Sequence, residues 1–186
     1  MIKTTNIILD SFLISSEIEL TDAFIKGAER VFRDSFEYKK LLAYYRNDED
    51  QNTCLFIKDI DFSSKGLTLE FHHIIRLYDL ALIVIRELLS KGMKNISTFD
   101  VANRLMELHY QNLIPFTFLS KTMHQVQHSA ESDKRKIEIS SIKGNYKKFL
   151  TDFADYIDKD QWDTIEKELG ERWQDYEREW KNTRSR

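Results

Sequence analysis

The sequence predicts an α+β fold, mostly helical and organised as one domain with a few short strands. Apolar residues recur at helical spacing over long stretches, as at Phe24, Ile25, Ala28, Val31 and Phe32, which marks helices that bury one face. Short segments break that period: among them "LTLEFHH" alternates apolar and polar residues, and "NLIPFTF" is a brief apolar run around the only proline, Pro115. A length of 186 residues, with no internal repeat or low-complexity linker, fits one domain with a real core.

Taken in order, "TDAFIKGAERVFRDSFEYKKLLAYYRN" keeps its apolar period through Leu41, Leu42 and Tyr45, with Thr21 placed to cap it; it is one long helix or two short ones. "TCLFIKDIDFSSKGLTLEFHH" reads as strand, "SSKG" turn, strand. His72 and His73 close the second strand, on opposite sides of its pleat if pairing runs through them. "RLYDLALIVIRELLSKGM" is a strongly apolar helix stopped by Gly92, and "STFDVANRLMELHYQ" is an amphipathic helix capped by Ser97 with Asp100 three residues on. "NLIPFTF" then suits an edge strand, and "LSKTMHQVQHS" a helix with Ser120 or Thr122 as its cap. "KIEISSI" reads as a further strand and "GNYKKFLTDFADYI" as a helix beginning after Gly144. The long polar helix "DQWDTIEKELGERWQDYEREW" follows, with a Trp162, Ile165, Leu169, Trp173, Tyr176, Trp180 stripe, and a frayed basic tail ends the chain. Such a stripe serves core packing or contact with a partner helix.

Composition removes several function classes. No apolar run approaches the ~18 residues of a membrane span, and the N-terminal stretch lacks the pattern of a secretory leader, so a cytoplasmic place is expected. The single cysteine, Cys54, rules out an internal disulfide and a zinc site built from several thiolates. Any metal has to be held by histidine and carboxylate. No Gly-rich phosphate loop and no Gly-x-Ser-x-Gly elbow is present, which argues against nucleotide cofactors and serine-triad hydrolysis. A net charge of −3 gives no global attraction to nucleic acid, so DNA contact would rest on local cations such as Lys121, Lys134, Arg135 and Lys136.

All five histidines, His72, His73, His109, His124 and His128, lie between residues 72 and 128. His124 and His128, four apart, share one face if their segment is helical, and two imidazoles so placed can reach one divalent cation at about 2.0–2.2 Å. Imidazole ligands suit Zn²⁺ or a neighbouring transition metal better than Mg²⁺, though the ligand set alone does not exclude Mg²⁺. Glu70 and Asp79 flank the histidine pair and could orient an imidazole or bind the metal, although carboxylates near a strand end are usually solvated. His109 reads as helix surface or a satisfied, partly buried histidine.

A histidine pair on a strand, an asparagine-bearing segment and a helix with His-x-x-x-His, here "LEFHHI" and "NLIPFTFLSKTMHQVQH", resemble the HNH, or ββα-metal, nuclease family. A closer likeness, over roughly residues 36 to 157, is to HNH-like proteins of large tailed bacteriophages, carried by "HH…LYD", "LHY" and "LSKT.H…H". The resemblance implies an HNH-like domain over residues 1–157, with a two-helix insertion between the core strands, and a C-terminal helical extension over 158–186. It implies metal-dependent hydrolysis of DNA, with His73 as general base, Asn112 bracing its loop, and His72, His124 and His128 as metal ligands. The alternative is a catalytically silent relative, structural, virion-associated or host-interacting, that docks on a protein partner through the C-terminal helix. Either way the resemblance places the chain in an infected bacterial cell or in the virion.

Overall fold

The computed structural model describes residues 13–47, 53–57, 69–129, 137 and 141–169. Among them, seven α-helices surround one two-stranded antiparallel sheet, an α+β domain dominated by helix. The long N-terminal periodic segment is two helices, α1 (Asp22–Asp34) and α2 (Phe36–Asn47). Thr21 caps the first by accepting from the Phe24 backbone N–H, and Ser35, in extended conformation, separates it from the second.

The core is a three-helix packing. α1 lies against α3 (Leu77–Ser90) and α4 (Thr98–Tyr110), which also pack on each other. Phe24, Ala28 and Phe32 from α1, Leu80 and Ile83 from α3, and Val101, Leu105 and Leu108 from α4 are fully buried there. Burying side chains of this size stabilises by about 1.5–3 kcal/mol each, so the helical period in the sequence is what holds the domain together.

Both helix stops are visible in backbone hydrogen bonds. After α3, Gly92 at φ +77° lets its own N–H bond Leu89 O and the Met93 N–H bond Leu88 O. After α4, Asn112 at φ +54° does the same, with its N–H on His109 O and the Leu113 N–H on Leu108 O. This paired closure satisfies the last helical carbonyls and needs a left-handed residue, for which Gly and then Asn are best suited. α4 begins on a reciprocal cap: Ser97 Oγ accepts from Asp100 N–H while Asp100 Oδ2 accepts from Ser97 N–H at 2.8 Å.

The sheet pairs β1 (Leu69–His73) with β2 (Phe116–Ser120), Phe71 opposite Phe118 and His73 opposite Phe116. Pro115 sits immediately before β2, where its missing N–H removes nothing from the ladder. Every residue of β2 is buried. Its outer edge is covered by Leu55, whose N–H donates to Phe118 O at 2.9 Å, and by Lys143, which exchanges two backbone hydrogen bonds with Phe116. The strand expected at Cys54 is a tight turn bridging Cys54 and Ile57; the short span reverses before it can pair along its length. The "SSKG" turn and four of the seven residues of "KIEISSI" lie outside the described residues.

After β2 come α5 (Lys121–Gln127), capped by Ser120, then α6 (Tyr146–Phe153), a 3-10 turn (Ala154–Tyr156) and α7 (Lys159–Leu169). Arg86 of α3 ties this C-terminal part down, donating to Glu17, Tyr156 O, Gln161 and Asp158 at 2.8–3.1 Å. Of the C-terminal stripe, Ile165 is buried and Trp162 partly so; Trp173, Tyr176 and Trp180 fall outside the described residues.

Two glycines make a stability prediction. A Cβ at Gly92 meets nothing within 4 Å, so Gly92→Ala should cost only the left-handed backbone, about 1–2 kcal/mol. At Gly144, φ +87°, a Cβ would also strike the Ile114 carbonyl. Urea unfolding should show Gly144→Ala losing at least twice as much stability; equal losses would mean that the backbone at Ile114 yields freely.

Candidate metal centre

The period of two in β1 sorts its side chains. Glu70 and His72 project to the face that carries α5, while Phe71 and His73 project to the other. Ser120 both ends β2 and caps α5, so the helix turns directly back over β1. Residues some fifty positions apart in sequence are thereby brought into contact.

On the α5 face three imidazoles converge. His72 is buried, His124 is intermediate and His128, the C-cap of α5, is exposed. One ring nitrogen from each lies within 4.8 Å of the others. His124 Nε2 and His128 Nε2 are 3.0 Å apart, and the His72 ring stands 5.3 and 5.4 Å from the two rings, centroid to centroid. His124 Nδ1 donates to Glu70 Oε2 at 2.6 Å. Burial pushes the His124 pKa below its ordinary value, against the opposing pull of the Glu70 carboxylate. A neutral imidazole carries the lone pair that a metal requires.

The opposite face is aromatic. His73 Nε2 lies 3.0 Å from His109 Nε2, and His109 Nδ1 bonds Leu105 O at 2.7 Å. That backbone acceptor fixes the proton of His109 on Nδ1, so His73 donates from Nε2. Phe71, Phe116 and Phe118 meet one another and Tyr45 in edge-to-face and tilted contacts, while Phe32 and Tyr38 pack on His109. Burial, and then the neighbouring His109, hold His73 well below the usual histidine range; burial brings His109 down to about 4.

The structure therefore brings together His72, His124 and His128, and adds Glu70 beside them. It turns His73 to the other face, against His109. Asn112 is the left-handed residue that ends α4, with an exposed side chain. Asp79 is engaged by Arg76 in a two-pronged ion pair at 2.6 and 3.1 Å, away from any imidazole. Lys121 is exposed at the start of α5, while Lys134, Arg135 and Lys136 lie outside the described residues. His109, read from sequence as surface or partly buried, is 5% exposed; its place three residues after Met106 and four after Leu105, both on the apolar stripe of α4, was the available signal.

A family model described as "Bacteriophage G278-like virion protein" matches residues 2–185. No curated protein and no solved structure matches the chain. The family match overturns the DNA-hydrolysing activity expected from the resemblance to HNH nucleases: the matching family is one of virion proteins, in line with the alternative of a structural or virion-associated role. The phage origin expected from sequence stands. Among the described residues no helix is long and apolar enough to cross a membrane.

The buried His109 sets a pH dependence. In the unfolded chain His109 protonates below its ordinary value of 6.5, whereas in the folded protein it stays neutral down to about 4. The unfolded state thus binds more protons between these values, so the contribution is complete above pH 6.5 and is lost as pH falls to 4. The loss should reach about 3 kcal/mol from this group. Urea unfolding in chelator across that range should show the fall, and His109→Leu should flatten it; an unchanged slope would assign it to other groups.

Proposed function

Because the chain belongs to the bacteriophage G278-like virion protein family, we propose that it is a structural component of the phage particle whose β1–β2–α5 unit is clasped by a divalent transition metal. The observation that supports the metal is the convergence of His72, His124 and His128. Tetrahedral coordination at 2.0–2.1 Å needs nitrogens about 3.4 Å apart. The His124–His128 pair, at 3.0 Å, would open slightly, and the widest separation, within 4.8 Å, would close by rotation of side chains. His128, exposed at the helix end, has room to do so.

Three imidazoles favour Zn²⁺, Co²⁺ or Ni²⁺ over Mg²⁺ and Ca²⁺, which require oxygen donors. Three imidazole ligands would leave a fourth position of a tetrahedral ion to water. The benefit to a particle protein is mechanical coherence rather than turnover. α5 has only seven residues, too few to be stable by itself, and a metal would bind it to β1 by coordinate bonds. In this reading the ββα arrangement of β1, β2 and α5 is a scaffold for a cross-link.

Titration of metal-free protein with Zn²⁺ should give one site per chain, and Co²⁺ should give the visible absorption of a four-coordinate centre. At free metal a hundredfold above Kd the protein should gain about 2.7 kcal/mol of stability. His72→Ala and His128→Ala should abolish the saturable site and the thermal shift. Equal binding by the double variant would place the metal elsewhere. Mass spectrometry of purified particles should find the chain as a stoichiometric component; its presence only in the infected-cell lysate would overturn the structural role.

A further inference from the structure

We propose that Glu70 is a positioning residue of the metal site: its carboxylate fixes the His124 ring so that Nε2, and not Nδ1, is the ligand atom. The inference rests on the metal-site reading above and deepens it. Glu70 and His72 are two residues apart on β1 and therefore project from the same face. α5 lays His124 across that face, and the imidazole spans the gap, with Nδ1 against Glu70 Oε2 at 2.6 Å and Nε2 turned toward His128 Nε2 at 3.0 Å.

An ionised carboxylate can only accept a hydrogen bond, so Nδ1 must carry the proton. The lone pair is then confined to Nε2, on the side where His72 and His128 gather. At 2.6 Å the bond is short, as charge-assisted bonds are. Glu70 and His124 are each partly buried, with side chains 32% and 22% exposed, so the contact is less screened than a surface pair. The carboxylate also makes the imidazole more basic and places a negative charge one ring away from the cation, both of which tighten metal binding. His124 thus enters the site already oriented, and the entropy of fixing its ring is spent on folding rather than on binding.

The pair of variants Glu70→Gln and Glu70→Ala tests this. Glutamine retains an acceptor oxygen without the charge, while alanine removes both. Zn²⁺ titration of the full chain should give affinities about tenfold weaker for Glu70→Gln and about a hundredfold weaker for Glu70→Ala, at unchanged stoichiometry. Long-range proton–nitrogen correlation spectra of the metal-free protein at mildly alkaline pH should place the His124 proton on Nδ1 in wild type and shift it towards Nε2 in Glu70→Ala. Circular dichroism identifies any variant that has lost its fold. Wild-type affinity in both variants, or a wild-type His124 proton on Nε2, would overturn the role of Glu70 while leaving the metal site intact. A wild-type chain that binds no Zn²⁺ would overturn the metal reading and this inference with it.

Discussion

The five-residue ladder between β1 and β2 is the constraint on which both faces of the sheet depend. Side-chain direction alternates with a period of two, so one register sends Glu70 and His72 to α5 and sends Phe71 and His73 into the aromatic layer. A slip of one residue would exchange them, setting Glu70 and His72 among phenyl rings and a phenyl ring beside His124 and His128. Burial of the aromatic face thus specifies the register that assembles the histidines. The aromatic layer and the candidate metal centre are two sides of the same five residues.

Charge is handled in a related way on the helices. Glu87 is buried between α3 and α4, where burial alone would raise its pKa; the hydrogen bonds of Arg104 and Lys91 outweigh that effect and hold it below the usual range. The two-pronged contact with Arg104, at 2.7 and 3.0 Å, fixes the relative slide of α3 and α4 as well as compensating a charge. Such a pair adds modest net stability but is costly to break from one side. Arg86 acts between more distant parts, joining the N-terminal Glu17 to the segment around Asp158.

Much of the fold was legible in the sequence because the signals were local. The caps at Thr21 and Ser97, the stop at Gly92 and the helical period of α1, α3 and α4 all act within a turn of the residues that carry them, whereas the sequence left Ser120 and Thr122 both open as the cap of α5. The turn at Cys54–Ile57 was not legible, since a short apolar run does not say whether it pairs or reverses. At the site, His124 and His128 could be paired from their spacing, and His72 could be set apart from His73 by strand alternation. The His73–His109 contact was hidden, because it depends on how α4 packs against the sheet. Glu70 and Asp79 were equally plausible carboxylates in one dimension; the structure gives one to His124 and the other to Arg76. The resemblance to HNH nucleases arose from residue types in an order, and an order of residues does not by itself determine an activity.

The junction between the 112–116 segment and the chain entering α6 has a mechanical consequence. Phe116 and Lys143 exchange hydrogen bonds of 3.2 and 2.7 Å, and the Asn145 N–H donates to Asn112 O at 2.6 Å. Gly144, between Lys143 and Asn145 in the chain, lies close against the Ile114 carbonyl. Displacing α6 from the sheet would have to break all three of these bonds. The junction thus ties the chain entering α6 to the edge of the sheet at three backbone bonds rather than one.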